Sequence, residues 1–597
     1  MVTNFGPFKL DEASRTLWCA HEEIALQPRV FDLLVYLLAN QGRMVSKDEL
    51  LDTIWPNVTV TDNSLQRAIS ALRSVLRKGG LESAIRNLPG KGYRLCVDEA
   101  LQQPAQRGGT ERDMTAGVPA LAERAVSRQC WQEAVELYET VEAGSSLDGD
   151  DLDRWALALQ CSGRPVAAIP VLVRAVAAHT EAGRPRQAAN DAVTLSVIHL
   201  ECGQGSLAKG WLARAEQWAA ELHDPAVTGL VLWMNSKLAA FDGDPHTALS
   251  LAEAAYTSTR QKGAPKVEAL SLAYRGFYRL CLGDTRGGYA DQDHAATLAL
   301  SNIMDPITGG TLYCNILWAC RMFGDWARAD QWTLGYQQYC AESHMELSGS
   351  CQLHRSEVLG VKGSLREALA RIQDSIARLS SDAPWAMGDA QRVLGDTQAA
   401  IGNDDAALEA YDRSYALGWC PEPGRAMLLF ERGDAEAAYA SLERSLIGQA
   451  WWTLQRKGIL LAHLALVAAE TGRHEQAREL IADLAGSPER WPMPSIRALT
   501  NEAQAVLALA RQDREDAMRH LHLARQLWSS VNGRVQATRL RLRIARLQLA
   551  VTDRSGAMAE ARAAQLVAED LQSSRLQRQC KALLAEIAGG RDIRIAS

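Results

Sequence analysis

The sequence predicts a multidomain protein in which a small α+β domain precedes a long all-α array of helix pairs. Residues 1–97 combine short extended runs with helical apolar spacing. Residues 120–590 have a helical pattern almost throughout, and a glycine or an equivalent residue recurs there at a nearly constant interval. The region between them, residues 98–119, is rich in Gln, Gly, Pro and charge without periodicity, which predicts a flexible linker.

The composition is that of a soluble globular protein, with 47% hydrophobic and 23% charged residues among 597. Its longest apolar stretch, residues 458–469, falls short of the ~20 residues that a membrane helix needs. The sequence also begins without a signal peptide's apolar run, so we expect a cytoplasmic protein without a membrane partner. The 12 cysteines include no CxxC pair, which predicts reduced thiols rather than disulfides or a zinc site.

Positive charge is concentrated in one short segment of a chain whose net charge is −7. Between Asn63 and Arg94, seven basic side chains accompany a single acidic one, Glu82. Such a local patch is typical of a surface that contacts phosphates. The rest of the chain is acidic and should repel nucleic acid.

The first elements of the small domain are strands and a helix. Three short extended runs, residues 5–10, 16–20 and 23–26, predict a small antiparallel sheet. Apolar residues at helical spacing over 30–38 predict the first helix. Ser46 and Glu49 form a capping-box pattern that predicts a second helix.

A third helix and a hairpin complete the domain. Its apolar face consists of Leu65, Ile69, Leu72 and Leu76, and its opposite face of Gln66, Arg67, Ser70, Arg73 and Arg77. The turn sequence of residues 89–93 then predicts a β-hairpin with a cationic tip. Sheet, three helices and hairpin in this order make a winged helix-turn-helix.

Three motifs in this region carry a family resemblance. LQPRVFDLLVYLLANQGRMVSKDELLDTIWPN, NSLQRAISALRSVL and GKGYRL resemble the OmpR/PhoB-type winged-helix DNA-binding domain, most closely its CadC/ToxR-like branch. The resemblance implies that residues 1–97 bind double-stranded DNA. Ser70, Ala71 and Pro89 stand where many response regulators of the family carry arginines, so their base readout does not transfer. The sequence shows no receiver domain and no transmembrane helix, so we expect the input to arrive by another route.

The winged helix gives the candidate DNA contacts. We expect Gln66 and Arg67 to read bases, Arg73, Arg77 and Lys47 to bind phosphates, and Lys91 to enter the minor groove. The full predicted interface is Lys47, Asn63, Ser64, Gln66, Arg67, Ser70, Arg73, Arg77, Lys91, Tyr93 and Arg94.

The repeat marks predict a solenoid of about eleven helix pairs. They fall at Gly163, Gly203, Gly243, Gly283, Gly324, Gly363, Gly402, Gly433, Gly472, Gln512 and Asp553. Their spacings are 40, 40, 40, 41, 39, 39, 31, 39, 40 and 41 residues, the signature of stacked αα-hairpins. The step of 31 residues predicts one shortened hairpin after Gly402.

One repeat carries a second resemblance. LGDTQAAIGNDDAALEAYDRSYAL resembles a tetratricopeptide (TPR) repeat, and the array resembles the TPR-like regions of MalT and large LuxR-type regulators. This resemblance implies an all-α TPR-like superhelical solenoid. It does not name a partner, since TPR arrays bind many unrelated molecules.

Catalytic motifs are missing from the sequence, so we expect neither an enzyme nor a bound cofactor or metal. His354 and Glu357 have a metal-like spacing but fit an ordinary helix face. The aspartates 148, 150, 151 and 153 fit a solvated helix-capping loop. Cysteines 161, 202, 281 and 320 fit packing near helix ends.

The concave face of the solenoid is the candidate effector site. Its candidate residues are Tyr274, Tyr278, Tyr313, Asn315, Trp318 and His354. Packing between repeats is the alternative for each of them. A basic run over residues 534–546 is either an exposed outer face or a surface for an acidic partner.

These observations predict a cytosolic, non-enzymatic transcription regulator. Its winged helix would bind promoter DNA, and its solenoid would bind a protein, peptide or small-molecule effector. RNA polymerase and a second copy of the chain are further expected partners. The alternative is a TPR scaffold whose winged helix contacts protein, and the salt dependence of duplex binding separates the two.

Overall fold

The computed structural model describes residues 2–5, 7–11, 14–19, 22–24, 26, 28–41, 43–54, 68–69, 72, 75–76, 81, 84–88, 92–95, 111–142, 147–300, 304–447 and 455–589. They divide into two compact units, one within residues 1–114 and the other within 115–597. None of the described helices is both long and apolar enough to cross a membrane.

The described residues of the first unit form two antiparallel sheets, two complete helices and parts of a third helix. Its elements are β1 Val2–Phe5, β2 Phe8–Asp11, β3 Thr16–Cys19, β4 Glu22–Ile24, α1 Pro28–Ala39, β5 Met44–Val45, α2 Lys47–Ile54, β6 Ile85–Leu88 and β7 Gly92–Leu95. Strands β1 to β4 pair in chain order, and the second sheet has the order β5–β7–β6. The predicted sheet, the first two helices and the wing strands are therefore present.

Alternation along the strands builds the core of this unit. Phe8 and Leu10 of β2 are buried, while Lys9 between them is exposed. Leu10 lies opposite the buried Leu17 of β3. Because successive side chains of a strand point to opposite faces, one face of the sheet joins the α1 side chains in a single apolar cluster.

The start of α2 follows half of the predicted capping box. The Ser46 hydroxyl accepts the backbone N–H of Glu49 at 3.1 Å. The Glu49 carboxylate instead accepts hydrogen bonds from Arg43 at 2.5 Å and from Tyr36 at 2.8 Å. Arg43 and Tyr36 lower the pKa of Glu49 to about 2.

The apolar face of the predicted third helix is buried. Ile69, Leu72 and Leu76 are helical, and each is at most 2% exposed. They join the same apolar cluster as α1 and α2. Leu65, the fourth residue of that face, and residues 89–91 at the wing tip lie outside the described residues.

The second unit is all-α. Its helices are α3 Glu111–Ser127, α4 Trp131–Glu142, α5 Gly149–Cys161, α6 Ala168–Glu181, α7 Pro185–Glu201, α8 Gly205–Leu222, α9 Pro225–Phe241, α10 Pro245–Thr259, α11 Pro265–Leu282, α12 Thr285–Leu300, α13 Pro306–Phe323, α14 Trp326–Ser343, α15 Gly349–Lys362, α16 Leu365–Asp382, α17 Met387–Ile401, α18 Asp404–Ala416, α19 Gly424–Glu431, α20 Ala435–Ser445, α21 Lys457–Glu470, α22 His474–Gly486, α23 Pro494–Ala510, α24 Arg514–Ser530, α25 Arg534–Ala550, α26 Arg554–Asp570 and α27 Ser574–Gly589. A short 3₁₀ turn, Pro384–Ala386, precedes α17.

The predicted repeat marks are the turns inside the helix pairs. All nine marking glycines have a left-handed backbone, with φ between 73° and 105°, and Gln512 has φ 62°. Glycine accepts this conformation without strain, which explains its recurrence. At several marks the next residue is an aspartate that caps the following helix, as Asp244 does by accepting the N–H of Thr247. At the last mark, Thr552 rather than Asp553 is left-handed.

The shortened hairpin after Gly402 is confirmed. Its first helix, α19, has only 8 residues and its second, α20, has 11. The preceding turn contains a cis Glu422–Pro423 bond.

The linker prediction is partly wrong. Helix α3 begins at Glu111 and contains Pro119, so the end of the predicted linker is helical. With α4 it forms an additional helix pair ahead of the first mark. The described part of the second unit therefore holds twelve helix pairs and a final helix, α27, against the predicted eleven.

The helix pairs wind into a superhelix whose successive turns touch. The backbone N–H of Glu346 donates to the carbonyl of Cys161 at 3.0 Å. Further along, the hydroxyl of Ser495 donates to the carbonyl of Gly324 at 2.7 Å, and that of Ser574 to the carbonyl of Ile401 at 2.9 Å. Each of these bonds joins segments more than 170 residues apart.

Candidate DNA interface and solenoid cavity

The structure describes the buried face of the third helix, where Ile69, Leu72 and Leu76 lie in the core. Helical spacing in the sequence predicts residues 66, 67, 70, 73 and 77, which lie outside the described residues, for the opposite face. Strands β6 and β7 pair antiparallel from Ile85–Leu95 to Leu88–Gly92, which positions the wing. The first unit thus has the two elements with which a winged helix contacts a duplex.

The second unit contains a cavity of about 530 Å³. Helices α7, α9, α11, α13 and α15, the first helices of five consecutive pairs, contribute to its wall. We call it the aromatic cavity, after Phe241, Tyr274, Trp318, Trp385 and Trp419. The Trp318 ring centroid lies 5.6 Å from that of Trp385 and 6.0 Å from that of Trp419. Its size falls within the range of small-molecule sites, ~300–1,000 Å³.

An ion pair crosses the wall of the aromatic cavity. The Lys237 ammonium donates to Glu201 at 3.1 Å and is 6% exposed. Trp385 donates its indole N–H to the other oxygen of Glu201 at 2.8 Å. Burial lowers the pKa of Lys237, but the neighbouring Tyr274 and Glu201 raise it by more. The pKa of Lys237 therefore lies above the usual lysine value, and its ammonium group stays charged.

Two thiols lie at one end of the same wall. Cys351 is 2.9 Å from the Tyr336 hydroxyl and accepts from the Ser348 hydroxyl at 3.0 Å. The Cys314 sulfur lies 3.2 Å from Nε2 of His354. Hydrogen bonding with Cys314 lowers the pKa of Cys351 to about 7, despite burial.

A buried ion network supports the floor of the cavity. Arg321, which is 1% exposed, donates to His354 at 2.6 Å and to Asp389 at 2.9 Å. Arg392, also 1% exposed, donates to Asp389 and Glu357. Burial and then Arg321 lower the pKa of His354 to about 3, so its ring is neutral near pH 7. His354 and Glu357, predicted to lie on an ordinary helix face and not to bind a metal, both belong to this network.

A metal-like group of side chains lies near the start of α5. Ligand atoms of Asp150, Asp153 and His179 lie within 4.8 Å of one another. Arg184 donates to Nδ1 of His179 at 2.7 Å and to Asp150 at 2.9 Å, so a guanidinium already supplies the positive charge. Asp148 accepts the N–H of Asp151, which confirms the predicted capping role of this loop.

Comparison with known proteins identifies the first unit. Residues 21–95 match the family described as transcriptional regulatory protein, C terminal. The transcriptional activator CadC of Escherichia coli (strain K12) is 36% identical over 77 residues, which cover 13% of this chain and 15% of CadC. The crystal structure of the Klebsiella pneumoniae RstA DNA-binding domain in complex with the RstA box is 30% identical; the match covers 16% of this chain and 97% of that one, with a TM-score of 0.15. The first unit is an OmpR/PhoB-type DNA-binding domain.

The match to CadC is confined to the OmpR/PhoB-type domain, so this chain spans only about 15% of CadC. The crystal structure of the APC/C hetero-tetramer Cut9-Hcn1 aligns with 78% of this chain and 96% of that one, at 12% identity and a TM-score of 0.34.

Most of the predicted DNA-contacting residues of the OmpR/PhoB-type domain lie outside the residues that the structure describes. Those outside the described residues are Asn63, Ser64, Gln66, Arg67, Ser70, Arg73, Arg77 and Lys91. Lys47 begins α2 and Arg94 lies in β7, with only their backbones described. Tyr93 is 3% exposed and packs in the core of the domain, so its predicted place in the interface is corrected to a structural one.

The structure brings five of the six candidate effector residues to the aromatic cavity. They are Tyr274, Tyr278, Asn315, Trp318 and His354. Tyr313 is the exception: it is fully buried, and its ring centroid lies 5.3 Å from that of Tyr336, so it is a packing residue. Sequence reasoning missed Glu201, Lys237, Trp385 and Trp419, for which the periodic pattern gave no signal.

Arginines of the basic run in α25 form salt bridges with carboxylates of other helices in the solenoid. Arg539 pairs with Glu431 at 3.0 Å, Arg541 with Glu560 at 2.5 Å and Arg543 with Glu470 at 2.6 Å. These intramolecular pairs replace the acidic partner that was the alternative for this run.

Proposed function

We propose that this chain regulates transcription by binding promoter DNA through its OmpR/PhoB-type domain, with the solenoid as the receiver of the signal. The buried face of the third helix is the observation that carries the proposal. Helical spacing in the sequence predicts Arg67, Arg73 and Arg77 for the other face, which a winged helix presents to the major groove. The names of the matched family and of CadC support the same function.

We further propose that the aromatic cavity receives an effector. Its volume of about 530 Å³ fits a small molecule, and its aromatic rings offer more apolar than polar area. Effector binding would then change promoter output through the segment that connects the two units. We also propose RNA polymerase and a second copy of the chain as protein partners that bind beside the DNA.

Paired arginine substitutions test DNA binding. Arg67→Ala should weaken binding to a selected duplex by ~1–3 kcal/mol, because it removes base contacts in the major groove. Arg77→Ala should weaken binding to all sequences alike and reduce the salt slope by about one, because it removes a phosphate contact. Fluorescence anisotropy over a salt series measures both effects.

Lys9→Ala is the matched control, since it removes one positive charge from the exposed side of the first sheet. Its affinity for the duplex should equal that of the parent. Two results would contradict the proposed interface and favour a protein-binding winged helix. They are duplex binding that does not change with salt, and an affinity that neither arginine substitution lowers.

A further inference from the structure

A second cavity, of about 240 Å³, lies next to the aromatic one and has a different character. We call it the charged cavity, after Arg321, Arg392, Arg456, Arg539, Glu357 and Asp396. These side chains come from helices α13, α15, α17 and α25 and from the segment before α21.

The two cavities share a wall. His354 lines the aromatic cavity, and Arg321, which lines the charged one, donates to it at 2.6 Å. Gln455 lines the aromatic cavity and accepts from Trp318 at 3.2 Å, while the next residue, Arg456, lines the charged cavity. Arg456 therefore lies next to the wall of the aromatic cavity.

Most charges of the charged cavity have a partner of opposite sign. Arg321 pairs with Glu357 and Asp389, and Arg392 pairs with Asp396 at 2.8 Å. Arg539 pairs with Glu431 at 3.0 Å. Arg321 and Arg392 thus share three carboxylates, those of Glu357, Asp389 and Asp396, in direct contact.

Arg456 differs from these arginines. It is only 6% exposed, and its hydrogen bond is a long one, 3.5 Å, to the carbonyl of Cys420. In the described part of the chain, no carboxylate lies within 4.0 Å of its guanidinium. Burial and then the neighbouring Arg392 lower its pKa, and Glu357 and Asp396 oppose this shift without contacting the guanidinium.

A buried guanidinium without a carboxylate in direct contact is costly, because burial removes the water that would otherwise bind its N–H groups. Arginine binds carboxylate, phosphate and sulfonate groups well, since its planar fork donates two parallel hydrogen bonds to them. An anion at Arg456 would supply the missing partner. An uncharged ligand would leave it without one.

We propose that the solenoid binds an amphipathic organic anion, with its aromatic or apolar body in the aromatic cavity and its anionic group at Arg456. This inference rests on the proposed function, because it names the chemical class of the effector. Lys237 does not supply the anion site, since Glu201 already neutralises it.

Two fluorescent probes with the same rings separate the two parts of the site. Anilinonaphthalene sulfonate carries an anionic group, and phenylnaphthylamine lacks it. We expect the full-length protein to bind the sulfonate more tightly, because only the sulfonate can pair with Arg456. Arg456→Gln should raise the dissociation constant of the sulfonate by roughly tenfold and leave that of the uncharged probe unchanged.

Two further variants complete the design. Arg497→Gln removes an exposed arginine of α23 and should change neither affinity. Trp318→Leu should weaken both probes, because it removes the ring at the centre of the aromatic cavity. Thermal unfolding gives an independent readout: the sulfonate should raise the melting temperature of the parent more than that of Arg456→Gln.

Two results would overturn the inference. Equal affinity for both probes, with no response to Arg456→Gln, would contradict the anion site while leaving a cavity that binds ligands. Binding of neither probe, by protein that still binds its duplex, would also contradict the proposed effector role of the cavity. Loss of duplex binding alone would count against the DNA-binding proposal and not against this one.

Discussion

Asp389 is the central residue of the buried ion network. It is fully buried and accepts hydrogen bonds from Arg321 at 2.9 Å and from Arg392 at 2.8 Å. Burial raises the pKa of Asp389, but Arg392 and Arg321 lower it by a larger amount. The net result is a pKa well below the usual carboxyl value. Its folded-state pKa is therefore depressed. Its contribution to stability is complete above its unfolded pKa, ~3.9, and is lost as the pH falls below that value.

We therefore predict that Asp389→Asn destabilises the solenoid by ~3–5 kcal/mol at pH 7, because it leaves two buried guanidinium groups short of negative charge. Urea unfolding followed by circular dichroism measures the change. Asp374→Asn is the control: Asp374 is 51% exposed and pairs with Arg378 at 3.3 Å, so its loss should cost ~0–1 kcal/mol. Similar shifts of the urea midpoint for both variants would contradict a special role for the network.

The sequence predicted aromatic and polar cavity residues on the first helices α11, α13 and α15, but missed Glu201 and Lys237 on α7 and α9 and the residues in turns. Trp318 and His354 were found because each is an aromatic residue on the first helix of a pair. Trp385 and Trp419 lie in the turns before α17 and after α18, where periodicity says nothing about direction. Arg456 is unusual only because no carboxylate reaches it, and that depends on packing between segments far apart in the chain.

At the scale of the helix pair, Gly203 and Gly205 allow a matched test of the repeat marks. Both have free space where a methyl group would be added, but only Gly203 has a left-handed backbone, with φ 73°. Gly203→Ala should therefore cost ~1–2 kcal/mol, because alanine disfavours that conformation. Gly205, the first residue of α8, should tolerate alanine or gain ~0.4–1 kcal/mol.

Thermal or urea unfolding of both glycine variants measures the difference. If Gly203→Ala and Gly205→Ala were equally stable, backbone conformation would not explain why glycine recurs at the repeat marks.

Turn chemistry and helical spacing made most elements predictable. The Gly-Asp steps predicted where first helices end and second helices begin, and apolar spacing predicted the third helix of the OmpR/PhoB-type domain. Helix α3 was missed because Pro119 usually marks a break; a proline inside a helix costs ~3 kcal/mol. Burial of the α3–α4 pair, including Ala122 and Trp131, offsets that cost.

At the scale of the whole molecule, the two compact units predict two independent folding events. A chain cut between residues 110 and 111 leaves α3 intact and gives two fragments with their own apolar clusters. Each fragment should melt within a few degrees of the matching transition in the full chain. Calorimetry measures this, and a fragment that fails to fold alone would show that the units depend on each other.

The bonds between successive superhelical turns make the solenoid unlike a simple row of repeats. In an open row, each repeat touches only its neighbours, so total stability is close to a sum over nearest-neighbour terms, and ends can fray one repeat at a time. Here Ser574 at the start of the final helix is tied to Ile401, and Ser495 to Gly324. Removing the final helix must therefore also uncover a helix pair formed five pairs earlier in the chain. These bonds couple repeats that are far apart in the chain. Disrupting one repeat should therefore also lower the stability of the repeats that it contacts on the adjacent superhelical turn.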